Sequence, residues 1–388
     1  MAFDFIVLGA TGMQGRIVVR DLLETGYSVL LCGHEKTGDK AIVSHLLNKY
    51  RKRTEFKYIE ARRISTVINA IKYSKSNVVI NCMEGDWNYE VSQVCARLGV
   101  NCIDLGSEIP VTKKQFSLNS VMKKKNIVGI TGIGSVPGIG SIMLRYASEK
   151  FDTIEEIHLG FAWDSNMKEF VVPFSIESVL EEFTDRAPIV QNRHFKYKIP
   201  LSNIIKEHHR YIGTESEILV RHPEQYTFLH YFSGKGLKNI KFYAGFPEHS
   251  FKMILSLIKL GFASKDKINY FGEKIKPVDF LTEMLKTLGM PKGYTEKENL
   301  WVHISGKKKG KPQHIMMECL VPSLRGWESA GCNIDTGFPA SILAQMVKKG
   351  SITERGSFSP EVGVPPDPFF KELRKKKIRI YENGEAIN

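Results

Sequence analysis

The sequence predicts an α/β protein: an N-terminal doubly wound parallel sheet followed by a second domain of α+β character. Three observations carry this. Residues 1–130 alternate short apolar runs with stretches of helical periodicity. A glycine-rich loop follows the first apolar run directly. After Gly132 the alternation ends, and strands and helices mix with breaks at Gly234, Gly245 and Pro247. A length of 388 residues suits two domains.

Residues 3–8 form an apolar run of the kind a parallel strand buried on both faces requires. Residues 12–24 show helical periodicity through Ile17, Val18, Leu22 and Leu23, closing at Gly26. Strands follow at 27–32, 56–59, 78–83, 101–105 and 127–130, with helices at 40–50, 64–73, 89–98 and 113–124. Alternation at this spacing builds right-handed βαβ units. Beyond Gly132, helices are expected at 139–149 and 175–183 and strands at 153–161, 187–190 and 195–199. Runs 301–305 and 315–320 flank a GKKKGKP turn and read as the arms of a hairpin. The tail reads as helix at 340–349 and 368–376 and strand at 378–381.

Composition excludes several classes. A hydrophobic share of 42% with 25% charged residues rules out disorder, collagen and coiled coil. No stretch reaches the roughly 18 apolar residues of a membrane span, so no membrane partner is expected. The N-terminus enters a strand with no basic segment before it, so the cytoplasm is the expected compartment. Cys32, Cys82, Cys95, Cys102, Cys319 and Cys332 form no CxxC pair, so neither a disulfide framework nor a metal site is expected. The net charge of +13 (55 − 42) raises the question of nucleic acid. Its basic runs, at 123–125, 307–311 and 374–377, have no interleaved aromatics. They read as solvated surface, and no nucleic-acid partner is expected.

The run at 3–8 leads straight into Gly9-Ala10-Thr11-Gly12-Met13-Gln14-Gly15. Gly9 permits a tight turn, Gly12 lets the backbone approach a pyrophosphate, and Gly15 lets the helix pack closely on the strand. The helix N-terminus offers unpaired N–H groups to the phosphates. This is the dinucleotide-binding arrangement of a Rossmann-type sheet, with Cys82 and Met83 at a neighbouring strand end. An acid at the end of the second strand would hold the ribose hydroxyl of NAD. Here that position falls near Gly33, which leaves room for a 2′-phosphate, and His34 and Lys36 can meet its charge. NADP is the expected cofactor. Glu35, as a shifted acid, keeps NAD open.

Several blocks together resemble the saccharopine dehydrogenase-like family, which includes saccharopine reductases and bacterial lysine 6-dehydrogenases. They are residues 79–83, GVNCIDL at 99–105, TGIGSVPGI at 131–139, PFSIESV at 173–179 with EEFTD at 181–185, YAGFPEH at 243–249, TGFPA at 336–340 and GSFSPE at 356–361. The resemblance implies an oxidoreductase that interconverts an amine and an imine, with hydride passing to or from a nicotinamide. It implies an amino acid or imine substrate, a homodimer, and a substrate and dimerisation domain inserted into the chain. The expected division is 1–132, 133–335 and a returning segment 336–388. Two stretches depart from the family pattern: Met83-Glu84-Gly85-Asp86-Trp87 after the fourth strand, and Ser135-Val136 before the PGI turn. They keep a second reading open, a catalytically silent dinucleotide-binding sensor or assembly protein.

Ligands in such sheets lie beyond the carboxyl ends of the strands. Asp104, at a strand end, is the first candidate for handling the amine proton; the alternative is a structural carboxylate bound to loop N–H groups. Glu84 and Asp86 come second, and Asp185 third. An amino acid substrate calls for a carboxylate clamp. Arg325 is the candidate, with Arg186 and Arg193 also open. Trp327 reads as an apolar pocket wall or an ordinary core residue.

Overall fold

A computed structural model describes residues 2–34, 38–171, 176–288 and 291–388. Strands β1 (Phe5–Leu8), β2 (Val29–Gly33), β3 (Thr54–Tyr58), β4 (Val78–Asn81), β5 (Asn101–Asp104) and β6 (Val128–Ile130) open the chain. Between them run helices α1 (Met13–Glu24), α2 (Gly38–Ile42), α3 (Ser44–Lys49), α4 (Ile64–Ser74), α5 (Asn88–Leu98), α6 (Ile109–Phe116) and α7 (Asn119–Lys124). The single helix expected over 40–50 is two short ones meeting at Val43. All these strands are parallel, ordered β3-β2-β1-β4-β5-β6. The order reverses between β1 and β4, where a doubly wound sheet opens its binding crevice. Every residue of β1 is buried, with Phe5 and Val7 entering one core and Ile6 and Leu8 the other. That two-sided burial is why the run lacks a polar alternation.

The second domain contains α8 (Ile139–Ser148), β7 (Thr153–Ser165), α9 (Ile176–Thr184), β8 (Ala187–Gln191), β9 (His194–Lys198), β10 (Ile205–His209) and β11 (Gly213–Leu219). It continues with α10 (Glu224–Phe232), β12 (Asn239–Phe246), α11 (Glu248–Lys259), β13 (Ile268–Tyr270), β14 (Glu273–Ile275), α12 (Pro277–Lys286), β15 (Glu296–Lys308) and β16 (Lys311–Pro322). Its main sheet is mixed: β10-β11-β12-β7-β15-β16, with β12 and β7 the parallel neighbours and the β8–β9 hairpin beside β12. The expected hairpin is present and longer. Lys308 pairs with Lys311, and Lys309 (φ +50°) with Gly310 (φ +76°) turns the chain, the left-handed pair that a two-residue hairpin needs.

The tail holds α13 (Ile334–Lys348), β17 (Gly356–Phe358), α14 (Pro360–Gly363), α15 (Pro366–Lys375), β18 (Arg379–Glu382) and β19 (Glu385–Ala386). It feeds both sheets: β17 adds a seventh parallel strand beside β6, and β18 pairs with β16. Helix α13 starts six residues earlier than its sequence indicates and carries Pro339 inside. A proline inside a helix normally argues for a later start. Packing on α1 overrides it: a Cβ at Gly337 would lie 2.3 Å from Ile17 Cγ2, so the two helices touch there. Among the described residues, no helix is long and apolar enough to cross a membrane.

Candidate active site

The phosphate loop lies at the reversal point of the parallel sheet. Gly9 adopts φ +73°, and a Cβ there would come within 2.7 Å of the Cys82 carbonyl. At Gly15 a Cβ would lie 2.1 Å from the Gly9 carbonyl, so helix and strand meet there. A Cβ at Gly12, which caps α1, meets only Gly9 O, at 3.4 Å. The space beyond it belongs to a cleft of about 610 Å³. A backbone cradle open at Gly12 and a twelve-residue helix presenting its N-terminus fit the pyrophosphate of a nicotinamide dinucleotide.

Gly9, Thr11 and Gly12 form one side of that cleft; Gly33, His34, Tyr58 and Arg62 form its β2–β3 end; Cys82, Met83, Glu84 and Trp87 line it after β4. Tyr58, which ends β3, and Arg62 beyond it were not singled out beforehand, because they show no motif; Trp87 belongs to the divergent stretch after β4. Lys36 and Glu35 lie outside the described residues. Met13 is 43% exposed and does not line the cleft. Burial, with the Asp104 carboxyl nearby, pushes the Cys82 thiol up to about 12, so Cys82 serves as a neutral wall.

Asp104 lies behind the cleft, with its carboxylate fully engaged. It accepts from Gly106 N (2.8 Å), Gly132 N (3.1 Å) and Gln115 Nε2 (2.7 Å), and the Thr131 hydroxyl lies 3.0 Å away. Burial raises its pKa, against the opposing pull of these bonds. Asp104→Asn would set an amide N–H against Gln115 Nε2. Chemical denaturation should then show a loss of about 1–3 kcal/mol, the cost of one unsatisfied buried group, with NADPH affinity within twofold of wild type.

Glu84 is exposed at the cleft, and Asp86 is exposed in the turn Gly85–Trp87, outside the lining. Arg325 is exposed and lines neither cavity described here. Its neighbour Trp327 is held instead by Arg20, whose guanidinium stacks 3.8 Å from the ring, and by Phe338. Arg186 and Arg193 are exposed. Residues 173–175 of the PFSIESV block lie outside the described residues.

A second cavity, of about 200 Å³, opens between the phosphate helix and the mixed sheet. Gln14, half-buried in the first turn of α1, forms part of its wall rather than part of the cleft; its Nε2 donates to Asn333 Oδ1 at 3.0 Å. Phe161 and Trp163 of β7 make an aromatic side. Opposite stand Glu182 of α9, Glu296 and Glu298 of β15, and Asp335 of α13, with His222 among them. Burial pushes Glu182 up to about 8 and Asp335 up to about 7. Burial and then the nearby Asp335 carboxyl push Glu298 well up. Glu296 is tied back by Tyr294 Oη (2.9 Å) and Cys332 N (2.6 Å). Four buried polar atoms on this lining have no protein partner: Gln14 Oε1, Trp163 Nε1, Glu182 Oε2 and Asp335 Oδ2. Buried polar groups are nearly always paired, so a cluster of exceptions is a place that a polar ligand or ordered water can fill.

These acids come from three separate elements, which hides them from any local motif. One signal existed. Glu296 and Glu298 share the strand phase of Leu300, Val302 and Ile304, which are buried in the core, and two acids on an apolar face need a reason.

Residues 5–130 match the saccharopine dehydrogenase NADP binding domain, and residues 134–378 match the saccharopine dehydrogenase C-terminal domain. The carboxyaminopropylagmatine dehydrogenase of Synechocystis is 23% identical, over 97% of this chain and 96% of its own. The carboxynorspermidine synthase of Vibrio alginolyticus is 22% identical, over 95% and 91%. In fold, the chain is similar to the saccharopine dehydrogenase (L-Glu forming) of Saccharomyces cerevisiae, with a TM-score of 0.76 at 13% identity and full coverage of both chains.

Proposed function

The chain belongs to the saccharopine dehydrogenase family, and from that premise we propose that this nicotinamide-dependent oxidoreductase reduces the imine formed between a linear cationic amine and an aldehyde bearing an amino acid group. That the relatives are named as dehydrogenases and synthases favours an enzyme over a silent dinucleotide sensor. One observation carries the substrate class: four unpartnered buried polar atoms line a cavity with acids on one side and aromatics on the other. An ammonium or guanidinium can take the place of the protons these acids hold, and its methylene chain can lie on Phe161 and Trp163. The full-length relatives named for carboxyaminopropylagmatine and carboxynorspermidine add support, since both names describe a carboxylated polyamine.

The bound nicotinamide would supply the hydride. The protein's own residues would orient the substrate: Gln14 from the cofactor side, Glu298 and Asp335 at the cationic nitrogen, and the aromatic wall along the chain. Screening NADPH consumption against amine and aldehyde pairs tests this. Diamines, triamines and guanidino amines should turn over. Propylamine reacting as fast as 1,3-diaminopropane would overturn the reading.

NADP is the proposed cofactor because β2 itself ends at Gly33 with no acid, while His34 and Arg62 border that end of the cleft and the acid that lines it there, Glu60, is ion-paired with Arg63 at 3.2 Å. His34→Ala with Arg62→Ala should weaken NADPH by about 10- to 100-fold, the scale of one or two charged hydrogen bonds, and NADH by less than threefold. Equal losses in fluorescence titrations would reverse the assignment.

A further inference from the structure

His222 follows β11 and enters the acid cavity just before α10. Its ring is held in two ways. It stacks on Phe242 of β12 at 3.9 Å, with 7° between the planes, and its Nδ1 lies 3.1 Å from Glu224 Oε2. Glu224 itself is 1% exposed. A carboxylate on Nδ1 fixes the ring's tautomer and orientation and makes Nε2 the working nitrogen. Among the described residues, His222 is the one basic side chain lining this cavity.

We propose that His222, oriented by Glu224, is the acid–base group that exchanges a proton with the substrate nitrogen. This rests on the amine-oxidoreductase reading above and adds the residue that handles its proton. In the reducing direction the imine carbon gains a hydride from NADPH, and the π pair of the C=N bond moves to nitrogen. Nitrogen takes the proton from His222 Nε2. The imine is reduced to an amine, NADPH is oxidised to NADP⁺, and His222 recovers its proton from water. Glu224 is a positioning residue.

The surroundings suit a proton donor. Burial disfavours the charged ring, but Glu224 at its Nδ1, Glu182 of α9 and Glu108 before α6 together hold its pKa above the ordinary histidine value. Arg221, the neighbouring cation, is turned away into ion pairs with Glu108 (2.9 Å) and Asp185 (3.3 Å). Glu181 lies behind Glu182, and Glu296, Glu298 and Asp335 complete the lining. Of these, Glu298 and Asp335 are neighbouring acids that burial holds above the ordinary carboxyl range, which suits them to hold a cation.

The test uses the full chain loaded with NADPH and an amine–aldehyde pair that wild type reduces. His222→Gln should cut turnover by about 10²–10³, within the range of general acid–base groups, with the NADPH Kd within twofold. Glu224→Gln keeps the ring and removes the carboxylate charge. Its alkaline limb of kcat/KM should move to lower pH, because the ring then loses its proton sooner; a purely structural Glu224 would leave the limb in place. Turnover of His222→Gln within threefold of wild type, or an unmoved limb in Glu224→Gln, overturns the proposal. If wild type reduces no pair, it is the substrate reading that falls. Ring-resolved NMR then reads the dyad alone: a His222 pKa higher in wild type than in Glu224→Gln supports it, and equal values overturn it.

Discussion

Gly12→Val is expected to abolish dinucleotide binding while leaving the fold intact. The first methyl-sized atom at this position meets only Gly9 O, at 3.4 Å, so the protein itself has room for a side chain. That room is where the pyrophosphate must approach the backbone. Losing two hydrogen bonds to a charged group corresponds to about 3–6 kcal/mol, or a 10²- to 10⁴-fold rise in Kd for NADPH. Gly15 provides the contrast. A Cβ there would lie 2.1 Å from the Gly9 carbonyl, so Gly15→Ala should lower the melting temperature as well as the affinity. Gly12→Val binding NADPH normally, or melting as early as Gly15→Ala, would show that the loop does not do what its shape implies.

The second large effect concerns pH. Asp335 near 7 and Glu182 near 8 sit well above ordinary carboxyl values, and burial also raises Glu298 and Glu296. A raised folded pKa means that the folded chain holds protons the unfolded chain has released. Stability from these groups is fully present below their ordinary pKa values, near 4, and is lost as pH rises through 7–8. At about 1.4 kcal/mol per pKa unit, the rise of Asp335 from its ordinary value to about 7 accounts for a loss on the order of 4 kcal/mol. Melting temperature should therefore fall by several degrees between pH 6 and pH 9. The double variant Glu298→Gln, Asp335→Asn should flatten that fall and melt higher at pH 8, yet lose affinity for cationic amines by about 100-fold. A diamine should stabilise wild type more at pH 9 than at pH 6, because it takes over the role of the protons. A melting temperature that is level or rising from pH 6 to pH 9 would refute this account of the cavity.

The phosphate loop and the acid cavity differ in how far the sequence reveals them. Gly9, Gly12 and Gly15 were legible because a phosphate loop is a local object: strand, turn and helix are consecutive, and backbone sterics select the residues. The continuous apolar runs of β1, β2 and β4 were legible for a similar reason, since a strand buried on both faces must be apolar throughout. The hairpin of β15 and β16 could be read from its GKKKGKP turn. Asp104 was visible as an acid at a strand end, but whether that carboxylate faces a ligand or a ring of donors depends on Gln115 and Thr131, from other elements.

By itself, then, the sequence determined the doubly wound sheet, the dinucleotide loop and the family, because each is written in consecutive residues or in blocks of set order. Only the tertiary structure decided where the substrate chemistry lies. Glu182, His222, Glu298 and Asp335 are spread over about 150 residues of the chain and meet only when α9, β15 and α13 close around one small space. Their protonation is a property of that enclosure. An exposed carboxyl loses its proton near pH 4 wherever it stands in a sequence; it is removal from water and the nearness of a second acid that carry these groups into the neutral range.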